Sequence, residues 1–341
     1  MQAPYRLSRT RLLGALCAVV AVAVTAACGG GGSSSGTSGG ATTHLKVSYS
    51  ETVADELPLW IAVDGGYFKK QGLDVTLTEI TGKNGVPALL SGQVQYASIG
   101  GTEVLSAAAN GADVKYLATL TPIYAYEMYS QPDLRTPDSL KGKRIGITST
   151  SGSLYLGTVL ALKQMGLSVS DVRITALGSV ANVNNALLSG NISAAASHPP
   201  ATAKFDKKHL NVLVDLATKK IPAAQVGIAA LSSYAKSNPE VTQKFMRALI
   251  QATQREKSDK AYAVKELRKH LKVTDQDALD LTYNYYAKEV VPNVPVPEVS
   301  QFEPSKKSLS KGNPKVGDVD LSTLIDPSYV KKAAADLGVS K

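Results

Sequence analysis

Short apolar runs alternate with amphipathic stretches over residues 45–216, and this alternation is the main pattern of the chain. Residues 45–49 alternate apolar and polar side chains, which predicts a half-buried strand. Residues 57–70 carry apolar side chains at helical spacing and are followed by Gly72, a residue type that commonly ends helices. Repetition of such units predicts βαβ connections and a mostly parallel sheet.

Further elements follow from the same patterns. Strands are predicted at residues 73–78, 94–99, 114–120, 126–130, 145–148, 172–176, 192–196, 212–216 and 225–232. Helices are predicted at residues 84–91, 100–111, 151–165 and 180–189, from Asn238 onward, and at 262–271, 275–286 and 329–337. Residues 290–304 are rich in proline, and we expect them to be extended.

The strand–helix pattern occurs in two copies, separated by a proline- and glycine-containing stretch at residues 132–142. A Leu-Leu-Ser-Gly unit at residues 89–92 occurs again at 187–190, and Gly-Leu-Asp-Val at 72–75 is matched by Gly-Leu-Ser-Val at 166–169. Motifs that recur at about the length of a domain predict two similar α/β lobes.

We expect five segments along the chain. They are a signal peptide at residues 1–27, a tether at 28–43, the first lobe at 44–131, the second lobe at 132–217, and a return to the first lobe with C-terminal helices at 218–341.

The N-terminus has the pattern of a secretory signal. Three arginines and no acidic residue precede an apolar stretch at residues 12–27, which is shorter than the about 20 residues that a membrane-spanning helix needs. The small residues directly before Cys28 resemble the bacterial lipobox. This resemblance implies cleavage before Cys28 and a lipid on its sulfur, whereas the alternative is an uncleaved membrane anchor.

Gly, Ser, Thr and Ala dominate residues 28–43, which predicts a flexible tether between the lipid and the fold. The sequence has two cysteines, Cys17 and Cys28. Since Cys17 would leave with the signal and Cys28 would carry the lipid, we expect no disulfide. The formal net charge of +9 is spread along the chain, which suits a protein near anionic lipid and predicts no nucleic-acid partner.

Sequence signals for catalysis are weak. The four histidines are scattered, and no H-x-x-x-H motif or cysteine pair forms a metal-binding pattern. The sequence contains neither the G-x-S-x-G motif of a nucleophile elbow nor a Walker A motif. We therefore expect no enzyme activity, no metal and no cofactor.

A hydroxyl-rich turn at residues 148–153 joins a predicted strand to a predicted helix. It contains two threonines, three serines and Gly152. Free backbone N–H groups at the start of a helix, together with the helix dipole, favour a bound negative group. The alternative is that these hydroxyls only cap the helix.

Similar turns follow other predicted strands of both lobes. In open α/β sheets, ligands bind at the carboxyl ends of the strands, and a cleft between two lobes is a common place for a small molecule. The turns that would face such a cleft are residues 50–57, 82–84 and 100–102 in the first lobe, and 148–153, 178–179 and 197–200 in the second.

Several motifs point to one protein family. They are Gly-Tyr-Phe at residues 66–68 followed by Gly-Leu-Asp-Val at 72–75, Leu-Lys-Gly-Lys-Arg-Ile-Gly at 140–146, the two Leu-Leu-Ser-Gly units, and Ile-Asp-Pro-Ser-Tyr-Val at 325–330. In these motifs the chain resembles the solute-binding proteins that serve ABC importers of aliphatic sulfonates, nitrate, taurine and thiamine pyrimidine precursors. The motifs are specific to the family but not to a ligand.

This resemblance implies a periplasmic-binding-protein fold of type II, in which two Rossmann-like lobes with mostly parallel sheets are joined by a two-strand hinge. The hinge strands are expected near residues 127–134 and 215–228. The lobes would close on a small ligand and then dock on a membrane permease. We expect a monomer that is exported, lipid-anchored, and faces the periplasm or the cell exterior.

The resemblance and the positions of the turns together give a set of candidate ligand-binding residues: Gly101, Thr102, Tyr124, Ser149, Ser151, Gly152, Ser153 and His198. The alternative for His198 is a helix-capping or surface histidine. One of Tyr124 and Tyr126 is expected to line the cleft, and Trp60 is expected in the core.

The leading interpretation is the solute-binding component of an ABC importer. Its ligand would be a sulfonate- or nitrate-like anion, bound at the hydroxyl-rich turn, or a small heterocycle. One alternative is a membrane-anchored ligand sensor. Another is a pyrimidine-precursor synthase of the same family, but the resemblance implies a cysteine-rich site in such enzymes, which residues 29–341 lack.

Overall fold

The computed structural model of the protein describes residues 42–150 and 152–340. The predicted signal, Cys28, Ser151 and all but the last two residues of the predicted tether lie outside the described residues. Within the described ranges, no helix combines the length and the apolar character that a membrane crossing requires.

Ten strands of the described chain form two five-stranded sheets, one in each lobe. The first sheet has the order β2 (Leu73–Glu79), β1 (Thr43–Tyr49), β3 (Tyr96–Ile99), β10 (Pro222–Leu231) and β4 (Val114–Ile123). The second has the order β7 (Arg173–Ala176), β6 (Arg144–Ile147), β8 (Ala194–Ser197), β5 (Glu127–Ser130) and β9 (Asn211–Asp215). The predicted α/β fold with two mostly parallel sheets is confirmed.

One strand in each sheet runs against its neighbours. Strand β10 pairs antiparallel with β3 and β4, and β5 pairs antiparallel with β8 and β9. Each of them is the first strand after the chain crosses from one lobe to the other. A chain that leaves one sheet at the carboxyl ends of its strands enters the next sheet at the corresponding edge, so the entering strand must run the opposite way.

The two crossings lie at residues 124–126 and 216–221, between the strands of different sheets. The sequence placed the first boundary at residue 131 because Pro132 and Pro137 follow it. Strand β5 nevertheless pairs with β8 and β9, so it belongs to the second lobe. Proline marks where regular structure stops, whereas strand pairing decides which lobe a strand joins.

Helices connect the strands and cover the sheets. Before the second crossing they are α1 (Leu57–Asp64), α2 (Tyr67–Lys70), α3 (Gly82–Leu90), α4 (Gly101–Ala109), α5 (Ser153–Gln164), α6 (Val180–Leu188) and α7 (Ala201–Lys207). After it they are α8 (Ser232–Ser237), α9 (Pro239–Ser258), α10 (Lys260–Leu271), α11 (Gln276–Tyr283), α12 (Glu303–Leu309), α13 (Pro314–Gly317), α14 (Leu321–Leu324) and α15 (Ser328–Leu337). Short 3-10 helices occupy Ala54–Glu56, Pro137–Leu140, Val169–Asp171 and Val299–Gln301, and a π-helical segment, Asn284–Val290, continues α11.

The sequence predicted residues 57–70 as one helix, and the structure divides them into α1 and α2. Gly66 adopts a left-handed conformation with φ of 70° between the two helices. A side chain at Gly65 would approach the Tyr67 ring to 2.7 Å. Helix α7 was not predicted, since the short segment after β8 begins with two prolines.

The repeated motifs occupy equivalent places in the two lobes. Gly92 follows α3 with φ of 72°, and Gly190 follows α6 with φ of 75°. In both copies the glycine occupies the left-handed region, which L-residues with side chains rarely adopt, and ends the helix before the next strand. The repetition in sequence therefore reflects the same helix-to-strand turn in each lobe.

Helix α9 carries much of the packing of the first lobe. Phe245 on α9 stacks on Tyr96 with ring centroids 4.3 Å apart, and it contacts Phe68 at 4.7 Å. All three side chains are almost completely buried. Burial of such a side chain stabilises the fold by about 1.5–3 kcal/mol, so this cluster holds α9 against both α2 and β3.

Glu256 on α9 is a buried acid. Its side chain is 0% exposed, and neither carboxylate oxygen has a hydrogen-bond partner among the described residues. Burial raises the pKa of Glu256 to about 8, and the Asp55 charge adds to the increase. A carboxyl whose pKa is higher in the folded protein than in the unfolded chain holds extra protons in the fold between those two pKa values.

We predict that this residue makes stability fall as the pH rises. The stabilisation is complete below the unfolded pKa, near 4.5, and is lost as the pH rises through about 8. Replacement of Glu256 by Gln removes the titration and should reduce the loss of unfolding free energy between these pH values by on the order of 5 kcal/mol. Thermal unfolding followed by circular dichroism between pH values near 4.5 and 8 measures the effect.

The matched control is Glu240→Gln, an exposed position on the same helix. An unchanged pH slope in E256Q would show that Glu256 does not titrate abnormally.

Candidate functional site

A cavity of about 420 Å³ opens where the carboxyl ends of strands from both sheets meet. The first lobe lines it with Ser50, Glu51, Asp55, Glu56, Gly100 and Glu103, and the second with Thr148, Ser149, Gly152, Ser153, Gly178 and His198. Tyr126 and Gln225, beside the two crossings, complete the wall. Depressions of comparable volume, such as one beside α3 and α4, lie on the outside of a single lobe. The cavity between the lobes is therefore the candidate site.

The hydroxyl-rich turn of the second lobe meets the start of α4 from the first lobe. Ser153 Oγ donates to the Gln225 carbonyl oxygen at 3.2 Å and lies 3.5 Å from Thr102 Oγ1. Thr102 Oγ1 in turn donates to Glu103 Oε2 at 2.6 Å. The two predicted turns thus form one hydrogen-bonded group across the lobes.

Gly100 makes this close approach feasible. A side chain at Gly100 would lie 2.4 Å from Glu103 Oε2 and 2.7 Å from Ser153 Oγ. Such distances are too short for any real Cβ atom, so glycine at this position leaves room for the carboxylate and the hydroxyl.

Four carboxyl groups line the cavity, those of Glu51, Asp55, Glu56 and Glu103. Burial raises the pKa of Glu51 and of Glu103 above the ordinary value for glutamate. Burial also raises the pKa of Glu56 to about 8, and the neighbouring Asp55 charge adds to the increase. The wall of the site is therefore acidic and poorly solvated.

Asp55 is held by a network of hydrogen bonds. Its Oδ1 accepts from Thr121 Oγ1 at 2.7 Å and from Gln225 Nε2 at 3.1 Å, and its Oδ2 accepts from Tyr286 Oη at 2.7 Å. Gln225 Oε1 accepts from the Ala125 N–H at 2.8 Å. Both crossings are therefore fixed to a carboxylate that is 1% exposed.

His198 joins this network from the second lobe. Its Nδ1 lies 2.9 Å from the Pro199 carbonyl oxygen and 3.0 Å from Tyr286 Oη. Because the carbonyl can only accept and the Tyr286 hydroxyl donates to Asp55, Nδ1 carries the proton. The ring is 5% exposed and tilted against Tyr126 at 5.8 Å, so it faces the cavity rather than bulk solvent.

Glu51 makes a direct contact between the lobes. Its Oε2 accepts from the backbone N–H of Val180 at 2.9 Å. Val180 is the first residue of α6, where free N–H groups and the helix dipole favour a negative charge. A carboxylate from the first lobe thus occupies the start of a helix in the second.

Seven of the eight predicted site residues fall into three groups. Ser149, Gly152, Ser153 and His198 line the cavity. Thr102 and Gly101 lie just behind the wall: Thr102 supports Glu103, and a side chain at Gly101 would approach Ala224 Cβ to 2.4 Å. Ser151 lies outside the described residues.

Tyr124 does not line the cavity. It is 1% exposed in the core of the second lobe, and its hydroxyl lies 3.1 Å from Ser305 Oγ. Tyr126 lines the cavity instead. Trp60 is buried and stacks on His270 with centroids 4.5 Å apart, as expected for a core residue.

The acids were overlooked in the sequence, although three of them lie in a turn that was singled out. Glu51, Asp55 and Glu56 all fall within residues 50–57, which were weighed for their small and hydroxyl side chains. Glu103 lies one residue beyond another such turn. Three acids within six residues directly after a predicted strand were the available signal. The sequence held no such signal for Tyr286, because this residue is far along the chain from the turn at residues 50–57.

One side-chain cluster has a metal-like composition. Ligand atoms of Asp64, Glu266 and His270 lie within 4.8 Å of one another. However, the Lys269 ammonium lies 2.7 Å from Asp64 Oδ2, and His270 Nε2 lies 2.6 Å from the same oxygen. A lysine already supplies the positive charge there, so the cluster is an ion-pair network on the outside of the first lobe.

A family comparison identifies the chain. The model of the family described as "NMT1/THI5 like" matches residues 54–259, more than half of the 341 residues. The chain belongs to the NMT1/THI5-like family. The matched region begins at the acidic turn and continues through the second lobe into α9, so it includes almost the whole wall of the cavity.

Relatives in this family have different functions. The chain is 27% identical over 202 residues to the riboflavin-binding protein RibY of Chloroflexus aurantiacus, covering 57% of this chain and 56% of RibY. The match thus spans little more than half the length of that relative. The chain is also 28% identical over 250 residues to the 4-amino-5-hydroxymethyl-2-methylpyrimidine phosphate synthase THI13 of Saccharomyces cerevisiae, covering 67% of this chain and 71% of THI13. Family membership alone therefore does not separate a binding protein from an enzyme.

A solved structure confirms the fold. The periplasmic nitrate-binding protein NrtA of Synechocystis superposes with a TM-score of 0.73 at 14% identity, covering 88% of this chain and 90% of NrtA. Together with the two sheets and two crossings, this similarity confirms the periplasmic-binding-protein fold of type II.

We predict that Glu51 restrains the start of α6. Replacement of Glu51 by Ala removes the acceptor for the Val180 N–H and should speed hydrogen exchange in the first turn of α6 by about fivefold, the effect of losing a helix cap. Exchange measured by mass spectrometry tests this. The matched control is Glu79→Ala, which removes a hydrogen bond to Thr52 within the first lobe only. Equal exchange in both variants would mean that the contact between the lobes is not formed in solution.

Proposed function

We propose that this protein is the solute-binding component of an ABC importer, exported and attached to the membrane by a lipid on Cys28. It captures a small solute in the cavity between its lobes and delivers it to a permease. The observation that carries this proposal is the position of the cavity: residues of both lobes line it, next to both chain crossings.

Two crossings allow the lobes to move relative to each other. A ligand that contacts both lobes stabilises the closed arrangement by the difference between its affinities for the closed and open forms. The contacts of Glu51 with Val180 and of Tyr286 with His198 would form as the lobes approach. Closure then gives a permease a surface that differs between loaded and empty protein.

A capture role is favoured over synthesis by the cysteine content. The resemblance described above implies a cysteine-rich site in the synthases of the family, whereas this sequence has only Cys17 and Cys28, both before the fold begins. The protein would therefore bind without turning over a substrate. A ligand sensor would use the same cavity and closure, and it would differ in lacking a permease partner.

We predict that Cys28 carries the membrane anchor. In a bacterium that processes lipoproteins, the full chain should incorporate a labelled fatty acid and sediment with membranes. Cys28→Ser should abolish the label, because no other thiol remains in the mature chain, whereas Cys17→Ser should keep it. Gel fluorography and fractionation provide the measurements. Labelling that survives in C28S would show that the anchor lies elsewhere.

Capture itself is tested by blocking the cavity. A Cβ at Gly152 would lie 3.3 Å from Ser149 Oγ and 3.4 Å from Glu103 Oε1, so Gly152→Met requires the Ser149 hydroxyl to move by a few tenths of an ångström and adds a bulky side chain at a residue that lines the cavity. Incubation of the purified protein with the ultrafiltered small-molecule fraction of yeast extract, followed by native mass spectrometry, should reveal a one-to-one adduct.

We predict that G152M reduces the occupancy of this adduct at least about tenfold, the loss expected when a bulky side chain fills a pocket. Gly317→Met is the control, because Gly317 is exposed on α13, away from the cavity. An adduct that persists in G152M would place capture outside this cavity, and no adduct with the unaltered protein would contradict the proposed function.

A further inference from the structure

We propose that the cavity selects a small organic cation, an ammonium or amidinium compound whose N–H groups are bound by Glu56 and Glu103. This inference rests on the proposed capture function and adds the chemical class of the solute. It departs from the anion that the hydroxyl-rich turn suggested.

The charges of the lining residues give the first argument. Four carboxyl groups face the cavity, whereas Lys83 is the only lysine or arginine among the described lining residues, and its side chain is exposed at the rim. Burial disfavours ionisation of these carboxyls, and a bound anion would disfavour it further, whereas a bound cation would favour their ionised form. A cation would meet complementary charge on the wall of the first lobe.

Unsatisfied hydrogen bonding gives the second argument. Both oxygens of Asp55 accept hydrogen bonds, from Thr121, Gln225 and Tyr286. Oε2 of Glu51 accepts one from the Val180 N–H. Glu56 differs, since it is 1% exposed and its Oε2 has no partner in hydrogen-bond geometry among the described residues, although the nearby Ser98 hydroxyl partly offsets the effect of burial on its pKa. A buried polar atom without a partner is costly, and a donor brought by the ligand would satisfy it.

Access to a second carboxylate gives the third argument. Glycines at positions 100 and 152 border Glu103, and a Cβ at Gly152 would lie 3.4 Å from Glu103 Oε1. No side chain therefore covers that oxygen from the hydroxyl-rich turn. Thr102 holds Oε2 at 2.6 Å, so the carboxylate is fixed in orientation, and Glu103 lines the cavity.

The remaining wall suits an organic cation rather than a bare metal ion. Tyr126 presents an aromatic ring to the cavity, and such rings attract ammonium and amidinium groups through their negative faces. The volume of about 420 Å³ lies in the range of pockets that hold small organic molecules.

Two sets of compounds of matched shape test the charge. Benzamidine, benzamide and benzoate form one set, and 2-phenylethylamine, 2-phenylethanol and phenylacetate form the other. Binding to the purified full chain is measured by isothermal titration calorimetry at neutral pH. In at least one set the cation should bind at least about tenfold more tightly than its neutral counterpart, as charge-assisted hydrogen bonds are stronger than neutral ones. The anions should not bind detectably.

Variants connect that preference to the two carboxylates. Glu56→Gln and Glu103→Gln should each weaken binding of the preferred cation at least about tenfold. Each should also reduce the ratio between the affinities of the cation and its matched neutral compound. Glu79→Gln, which changes an exposed carboxylate outside the cavity, should leave both affinities unchanged. Circular dichroism identifies any variant that fails to fold, and either variant alone suffices for the test.

The outcomes separate this inference from the capture function. An anion or neutral compound that binds as tightly as its matched cation would overturn the cation assignment, as would failure of both cations to bind. A preference that survives in both E56Q and E103Q would also overturn it. In each of these cases, a one-to-one adduct from yeast extract that is lost in G152M would leave the capture function intact.

Discussion

The buried carboxylate of Asp55 is the interaction on which the arrangement of this molecule depends. It receives hydrogen bonds from β4 through Thr121, from β10 through Gln225, and from the π-helical segment through Tyr286. A carboxylate that is 1% exposed is tolerated only when such donors replace water. Strand β4, before the first crossing, and strand β10, after the second, are thereby held to the 3-10 helix Ala54–Glu56. Tyr286 extends the network to His198 in the second lobe.

This network also explains why the cavity lies where it does. Parallel strands place their carboxyl ends at one edge, and the crossings force the two edges to face each other. Gln225 links the second crossing to Asp55 and, through the Ala125 N–H, to the first. In the proposed capture function, the lobes would move around this polar centre, and a ligand bound beside it would contact both lobes.

The sequence was sufficient for the fold and for half of the site. Alternating apolar patterns and repeated glycine turns determine the elements, because both report local geometry that each lobe repeats. The strand β5 was assigned to the wrong lobe, since pairing is a long-range property. Tyr124 and Tyr126 could not be separated either, because residues i and i+2 of an extended segment point to the same side, and these two diverge only in the irregular crossing between β4 and β5. Tyr286 was out of reach, as it lies 231 positions from its partner Asp55.

The acidic wall bears on the ligand class that the hydroxyl-rich turn predicted. The argument that a helix start favours a negative group is correct for α6, but the negative group there is the protein's own Glu51, bound to the Val180 N–H. At the start of α5, Glu103 lies beside Gly152, and Thr102 orients it. A carboxylate of the first lobe thus occupies the start of α6, and another borders the start of α5. The cavity that remains is lined by acids, among them Glu56, one of whose oxygens has no hydrogen-bond partner among the described residues.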